Sequence, residues 1–356
     1  MSSIDRVLSE IGPLDRGAMS AARERQDRLT KPRGSLGRLE ELSIQVAGVS
    51  GQAVPSTGRK AIVVAAADHG VCAEGVSLYP QEVTAQMVHN FIGGGAAINA
   101  LARHIGARVV VVDVGVATDV PLHPDLVSMR VAPGTANMAR GPAMSRAQAI
   151  SAVEAGIEIV EREAAKGLDI VGTGDMGIGN TTAASAIAAA ITGEQVTVVT
   201  GRGTGIDDAQ LCHKVAVIER ALSVNRPDPA DGLDVLAKVG GLEIGALAGV
   251  MLGAAARRIP VVIDGFISGA AALVAVQMAP QLGEHLIAAH LSAEPGHLAV
   301  LKHLGLKPVV SLDMRLGEGS GAAIAISIVE AATRLLAEMA TFAEAGVSTA
   351  GEEDGR

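Results

Sequence analysis

The segment 168–191 places the tightest constraint on the fold, because an apolar run, a cluster of glycines and an alanine-rich run follow one another there. The run 168–171 predicts a short buried strand, and 183–191 predicts a helix with one of the polar residues 180–182 as its N-cap. Between them, 172–182 predicts a glycine-rich loop, whose backbone N–H groups can approach an anion beside a helix N-terminus. The segment therefore favours a bound phosphate, and a tight glycine turn without a ligand is the alternative.

The same alternation recurs along the chain. Further apolar runs of strand length lie at 61–67, 108–114, 127–131, 260–263, 286–290 and 309–312, with a weaker run at 196–200. Helical patterns separate most of them, and the runs are uniformly apolar, as in strands that are covered on both faces. We therefore expect an α/β fold with a doubly wound, mostly parallel sheet of about six strands and helices on both faces. Ligands of such a sheet bind at the carboxyl ends of its strands.

Two segments fall outside this pattern. Residues 1–30 are polar and helical in pattern, with too few apolar residues to fold alone, and the last helix extends well beyond the final strand. We predict an α/β domain over 31–325 and a small helical subdomain formed by 1–30 with 326–356. Residues 346–356 are polar and are expected to fray.

Composition excludes several classes of protein. The formal net charge is −9, and no basic block or interleaved aromatics occur, which argues against nucleic acid as a partner. Cys72 and Cys212 have no metal-like spacing and form no disulfide framework, as is typical of a reducing cytoplasm. The N-terminus lacks a signal-peptide pattern. The apolar stretch 241–256 contains Glu243 and many small residues, which predicts a buried helix and no membrane span. We expect a cytoplasmic protein.

Three glycine loops follow apolar runs, at 172–179, 201–205 and 317–321. The Gly-x-Gly-x-x-Gly pattern at 172–177 alone is a weak signature of dinucleotide binding, which also wants an acid after the next strand. Glu194 has nearly the right spacing but follows a predicted helix. Three loops at one edge of a sheet suit a phosphoribosyl ligand better. An NAD-dependent oxidoreductase and a non-catalytic phosphate-ligand-binding protein are the alternatives.

Three side chains in these loops, or in the helix that follows the second loop, have two interpretations each. Glu318 lies between glycines, where desolvation would raise its pKa toward that of a general base, or it only favours the dipole of the following helix. Lys214 could reach a phosphate held by 201–205, or it is a solvated helix lysine. Asp175 could bond a ribose hydroxyl, or it only shapes the turn.

The acidic and histidine residues do not form a metal-binding pattern. Asp68-His69 follows a strand, but no second histidine lies at a ligand-like spacing. Asp207-Asp208 could be a magnesium pair, but an aspartate at a helix start is commonly an N-cap. We therefore predict no metal site.

Longer motifs point to one family. They are 31–37 (Lys-Pro-Arg-Gly-Ser-Leu-Gly), 68–71 with 74–76, 177–182, 203–205, 290–295 and 314–323. Together, and in this order, they resemble the nicotinate-nucleotide–dimethylbenzimidazole phosphoribosyltransferase family over everything after the first 30 residues. The most specific match is Arg-Leu-Gly-Glu-Gly-Ser-Gly-Ala-Ala at 315–323.

The resemblance implies a transfer of 5-phosphoribose from nicotinate mononucleotide to 5,6-dimethylbenzimidazole, in the assembly of the cobalamin nucleotide loop. The products would be α-ribazole 5′-phosphate and nicotinate. Glu318 would take the proton from one benzimidazole nitrogen while the other nitrogen attacks C1′ of the ribose, with inversion from β to α. The pyridinium of the donor is a good leaving group without a metal, so no cofactor is expected.

The resemblance also assigns binding residues. It implies contacts to the phosphoribosyl and nicotinate groups from Asp175, Gly177, Gly179, Asn180, Thr181, Gly203, Lys214 and Ser292. It implies a benzimidazole pocket formed by Tyr79, Met87, Met176 and Leu316. Asp175 departs from the family, which often has glutamate there. The resemblance further implies a homodimer in which residues 1–30 help to close the neighbour's site.

Overall fold

A computed structural model of the chain describes residues 3–203 and 205–348. Eight strands lie in these residues: β1 Lys60–Ala67, β2 Ala107–Gly115, β3 Leu126–Ser128, β4 Ile170–Met176, β5 Val261–Ile263, β6 Leu286–Ala288, β7 His290–Leu291 and β8 Val310–Ser311. Fifteen α-helices accompany them: α1 Ser3–Glu10, α2 Arg16–Arg28, α3 Arg38–Ser50, α4 Val83–Ile92, α5 Ala97–Ile105, α6 Arg146–Ala165, α7 Asn180–Thr192, α8 Val196–Val199, α9 Asp208–Asn225, α10 Gly232–Val239, α11 Leu242–Ala256, α12 Phe266–Met278, α13 Gly296–Leu304, α14 Ser320–Glu338 and α15 Phe342–Ala345. Short 3₁₀ helices lie at Gly70–Glu74 and Pro280–His285.

Six strands form one parallel sheet in the order β3-β2-β1-β4-β5-β6. This confirms the predicted fold class. The membership of the sheet differs from the prediction, because β8 pairs with β7 in a separate two-stranded sheet and the weak run 196–200 is helical. The run 286–290 is split at Ala289, whose carbonyl accepts hydrogen bonds from the N–H groups of Val309 and Val310. That turn carries the following chain away from the main sheet.

The sheet is covered on both faces, as its apolar strands require. Along β1, Val63 and Ala65 belong to one hydrophobic cluster and Ile62 and Val64 to another, because successive side chains of a strand point to opposite faces. Helices α6 and α11 contribute to the first cluster, and α3, α5 and α14 to the second. The functional loops therefore emerge at the carboxyl edge of a rigid, three-layered core.

Glycine and alanine take the place of aromatics in this core. A Cβ added at Gly156 of α6 would lie 1.9 Å from the carbonyl oxygen of Ala246, and one added at Gly249 would lie 1.9 Å from that of Val153. The backbones of α6 and α11 thus pack in direct contact. This close approach explains how a chain with 1% aromatic residues and 43 glycines fills its interior.

The N-terminal helices pack on their own chain. Ile4, Val7 and Ile11 are buried in the cluster that also holds residues of α6 and α11. Helix α2 lies on α3 and on the far end of α14, where Ala22, Ala47 and Leu336 are fully buried. The proposed division into two domains stays a prediction. Residues 1–2, Thr204 of the 203–205 motif, and 349–356 of the predicted subdomain lie outside the described residues.

Helix α14 is long and apolar enough to cross a membrane by length and composition, and it is the one such helix among the described residues. Of its most apolar window, 56% is buried inside the protein. Ile326 and Val329 pack in the cluster behind the sheet. The helix thus has the packing of a core element.

The segment 168–191 differs from its prediction in two respects. Gly172 and Gly174 lie inside β4, so the loop is confined to 177–179. Helix α7 has Gly179 as its N-cap, with φ of 92°, and none of the polar residues 180–182 caps it. The side chain of Asn180 instead donates a hydrogen bond to Asp175. The weak run 196–200 forms helix α8 with its C-cap residue, and Ser185 of α7 donates a hydrogen bond to the carbonyl of Val199, which holds this run against α7.

Candidate active site

A cavity of about 620 Å³ opens at the carboxyl edge of the sheet and is lined by residues of all three glycine loops. Every residue that the sequence predicted for the site lines this cavity except Lys214, which lies immediately behind it. The structure therefore brings together residues that are far apart in the chain, from Tyr79 to Glu318. Their individual roles stay predictions.

Glu318 is held in an unusual backbone conformation. Its φ is 62°, between Gly317 and Gly319 at 85° and 86°, and a non-glycine residue adopts such angles at a cost of about 1 kcal/mol. We call the segment 317–319 the Glu318 arch. Two sets of contacts hold it in place. The backbone of Glu318 lies against Gly174, and the carboxylate of Asp264 accepts hydrogen bonds from Gly319 N (3.2 Å) and Ala322 N (2.9 Å).

The carboxyl group of Glu318 is buried at the wall of the cavity, with the residue 6% exposed. One oxygen accepts a hydrogen bond from the backbone N–H of Ile98, in the first turn of α5, at 3.3 Å. Burial raises the pKa of Glu318, and the hydrogen bond from Ile98 opposes that shift. The group is therefore a stronger proton acceptor than an ordinary surface glutamate.

We predict that Gly174→Ala lowers both stability and turnover. A Cβ at this position would lie 2.5 Å from the carbonyl carbon and oxygen of Glu318, and neither can move without shifting the arch. Overpacking of this kind costs about 1–3 kcal/mol. Thermal unfolding and steady-state turnover measure the two effects. Gly283→Ala is the matched control, because no atom lies within 4 Å of its added Cβ; equal behaviour of the two variants would contradict the packing argument.

Lys214 is fully buried, so the interpretation as a solvated helix lysine is wrong. Its Nζ donates to Thr181 Oγ1 at 2.8 Å and to the carbonyl of Gly201 at 3.3 Å. Burial lowers the pKa of Lys214 to about 8, and the nearby Glu294 opposes that shift. The lysine thus supplies a positive charge directly behind Thr181 and Gly203, at the first turn of α7.

The loop 177–179 rests on a buried floor. A Cβ at Gly177 would lie 2.5 Å from the carbonyl oxygen of Ala67, and one at Gly179 would lie 2.6 Å from Cys72 Sγ. Beneath it, His69 Nε2 and Glu243 Oε1 are 2.7 Å apart, and both residues are fully buried. Burial opposes the charge of His69, but Glu243 outweighs it and holds the pKa of His69 above its usual value.

Asp175 is the penultimate residue of β4 and lines the cavity. Its Oδ2 accepts a hydrogen bond from Asn180 Nδ2 at 2.9 Å. Burial, followed by the negative charge of Asp264, raises the pKa of Asp175 well above its usual value. Asp175 therefore does shape the turn, and in its protonated form it can also donate a hydrogen bond to a ligand oxygen.

Four apolar or aromatic residues also line the cavity, namely Tyr79, Met87, Met176 and Leu316. Met87 and Met176 are partly buried against the core cluster that backs the sheet. Tyr79 and Leu316 are 54% and 57% exposed. We call the part of the cavity beside Lys214 and the start of α7 its cationic end, and the part lined by these four residues its apolar end. Glu318 lies in the wall of the same cavity.

This arrangement agrees with comparisons to known proteins. A family model described as a phosphoribosyltransferase matches residues 11–347. The chain is 64% identical over 350 residues to the nicotinate-nucleotide–dimethylbenzimidazole phosphoribosyltransferase of Desulforudis audaxviator, covering 98% of this chain and 99% of that protein. It is 62% identical over 348 residues to the protein of the same name from Chloroflexus aggregans, with the same coverage. The chain belongs to this phosphoribosyltransferase family.

Solved structures agree with the family assignment. A crystal structure of the Thermus thermophilus member superposes with a TM-score of 0.89 at 50% identity, covering 94% of this chain and all of that one. A crystal structure of CobT from the same organism gives 0.90 at 51% identity, covering 93% and 99%. The family resemblance predicted from the motifs is confirmed. The comparisons do not support an oxidoreductase, and Glu194 is exposed after α7, away from any strand end.

Several residues at this cavity were not assigned from the sequence. Asp264 holds the Glu318 arch, and its pKa is raised to about 7 by burial. Glu294, Arg315 and His290 line the cavity. The last three lie within the motifs at 290–295 and 314–323, so the signal was present, but nothing in the motifs showed which side chains face the ligand.

In the part of the chain that the structure describes, no group of three or more His, Cys, Asp or Glu side chains could hold a metal ion. Asp207 is the N-cap of α9 and accepts from Gln210 N, and Asp208 forms an ion pair with Arg202. These two acids have the capping and pairing roles that are common at a helix start.

Proposed function

We propose that this protein transfers the 5-phosphoribosyl group of nicotinate mononucleotide to 5,6-dimethylbenzimidazole. The products are α-ribazole 5′-phosphate and nicotinate, and the reaction belongs to the assembly of the cobalamin nucleotide loop. The observation that carries the proposal is Glu318, a buried carboxylate in the wall of a cavity with a cationic end and an apolar end. The chain also aligns over nearly its full length with relatives named for this reaction.

The chemical step needs one proton acceptor. One nitrogen of the benzimidazole attacks C1′ of the donor, and the bond from C1′ to the nicotinate nitrogen breaks. Its electron pair neutralises the pyridinium, which makes nicotinate a good leaving group. The proton of the second benzimidazole nitrogen passes to the carboxylate of Glu318, whose raised pKa suits it to general-base catalysis. Attack on the face opposite to the leaving group gives the α-anomer.

The cationic end is proposed to hold the donor's phosphate. Helix α7 begins there and favours an anion at its N-terminus. Lys214 adds a charge through the same wall, beside Thr181. The residues proposed to contact the phosphoribosyl and nicotinate groups are Asp175, Gly177, Gly179, Asn180, Thr181, Gly203, Lys214 and Ser292.

The apolar end is proposed to hold the benzimidazole. Tyr79, Met87, Met176 and Leu316 offer ring-sized apolar surface without charge, and methionine adapts its shape to different aromatic bases. We further propose a homodimer located in the cytoplasm. Because α1 and α2 bury apolar residues within their own chain, any contribution of 1–30 to the neighbour's site must come from their exposed polar faces.

The test combines purified protein with nicotinate mononucleotide and dimethylbenzimidazole, with and without added magnesium, and measures products by chromatography. We expect α-ribazole 5′-phosphate and nicotinate in equal amounts. Binding of the donor without release of nicotinate would instead indicate a ligand-binding protein. No product under either condition would refute the proposed function.

A further inference from the structure

Arg315 is an unassigned cation at the edge of the cavity. It lies three residues before Glu318, is exposed, and lines the cavity. Its Nη1 donates a hydrogen bond to the carbonyl of Gly203 at 2.9 Å. Within residues 3–203 and 205–348, no carboxylate forms an ion pair with it. Most of its five N–H donors are therefore free to meet a ligand.

The backbone that Arg315 contacts is also the backbone that Lys214 supports. A Cβ added at Gly203 would lie 3.4 Å from Lys214 Nζ and 2.9 Å from Thr181 Oγ1. Lys214 thus approaches Gly203 from inside the protein, and Arg315 approaches it from the mouth of the cavity. Two cationic side chains converge on one glycine at the proposed phosphate end.

Three carboxylic acids also line the cavity, so an anion can bind only where cations offset them. They are Asp175, Glu294 and Glu318. The neighbouring Arg202 is paired with Asp208 and does not line the cavity. A phosphate monoester carries nearly two negative charges near neutral pH, which one lysine alone does not balance.

We propose that Arg315 is a second phosphate-binding cation, which closes over the donor's 5′-phosphate opposite Lys214. Its guanidinium would bond the phosphate oxygens at the mouth while Gly203 and Thr181 contact them from below. This inference rests on the proposed function, and it assigns donor binding to Arg315.

The test compares three donors in binding to the wild type and to Arg315→Gln by calorimetry. The donors are nicotinate mononucleotide, nicotinic acid riboside, which lacks the phosphate, and nicotinamide mononucleotide, which lacks the carboxylate. We expect the variant to bind both phosphate-bearing donors about 10–100-fold more weakly and the riboside unchanged, as for loss of a charge-assisted hydrogen bond. Arg315→Lys keeps the charge without the planar fork, and we expect it to recover part of that loss.

The matched control is Arg103→Gln. Arg103 is likewise exposed and donates from Nη1 to the carbonyl of a glycine, Gly94, at 3.0 Å, but it lies away from the cavity. The control should bind all donors as the wild type does. Equal weakening of all three donors by Arg315→Gln, or no weakening, would overturn the inference, and so would a loss that spares nicotinamide mononucleotide. An inactive wild type would refute the proposed function instead, so the two failures are distinguishable.

Discussion

Glu318→Gln is expected to lower kcat by about 10²–10⁴-fold while the protein keeps its fold, because the amide cannot accept the benzimidazole proton. The substitution preserves the size of the side chain, and the amide oxygen can still accept from Ile98 N. Thermal unfolding should therefore change little. Steady-state turnover with both substrates at saturation measures the effect.

The pH dependence of the wild type provides a second signature of the base. Since burial raises the pKa of Glu318, kcat should fall as the pH is lowered through that raised value, where the carboxylate becomes protonated. Glu318→Gln should lack this acidic limb. Glu194→Gln, an exposed glutamate after α7, is the control and should behave as the wild type. Turnover of Glu318→Gln within a few fold of wild type would refute the base assignment.

Lys214→Met is expected to raise KM for nicotinate mononucleotide by about 10²-fold, with a smaller effect on kcat. Removing one partner of a desolvated charge pair costs about 2–5 kcal/mol, and the donor's phosphate would be that partner. Methionine fills nearly the same buried volume, so the variant should unfold at a similar temperature. Lys302→Met, on the exposed surface of α13, is the control.

The charge on Lys214 also predicts an alkaline limb. Burial lowers the pKa of Lys214 to about 8, so the side chain is charged below that pH and neutral above it. In the wild type, kcat/KM for the donor should therefore fall above about pH 8, and in Lys214→Met this limb should be absent. An unchanged KM in the variant, or an unchanged alkaline limb, would contradict a role for this lysine in phosphate binding.

The sequence predicted the architecture well because buried parallel strands leave a strong signal. Uniformly apolar runs separated by helices indicated a sheet covered on both faces, and the carboxyl-edge rule placed the loops together. The placement of Gly174 was not predictable in this way. Gly174 lies in β4, where it pairs with Val64, and it has no side chain because the backbone of Glu318, far later in the chain, packs on it. No local pattern records such a contact.

Tertiary packing also explains why the sequence did not reveal the roles of other residues. Asp264 was visible as an acid after a strand, but its hydrogen bonds to Gly319 and Ala322 depend on how β5 and α14 meet. The burial of Lys214, which separates a phosphate ligand from a solvated lysine, depends equally on packing between α9 and α7. Motifs thus indicated which segments form the site, and tertiary contacts decide which side chains act in it.

The anomeric configuration of the product tests the central claim most directly. Purified protein is incubated with nicotinate mononucleotide and dimethylbenzimidazole, and the isolated ribotide is examined by NMR at C1′. In-line attack on C1′ by a benzimidazole nitrogen, from the face opposite to the leaving nicotinate, predicts the α-anomer. It should form in equal amount with free nicotinate. A β-configured ribotide, or nicotinate released without any ribotide, would contradict the account.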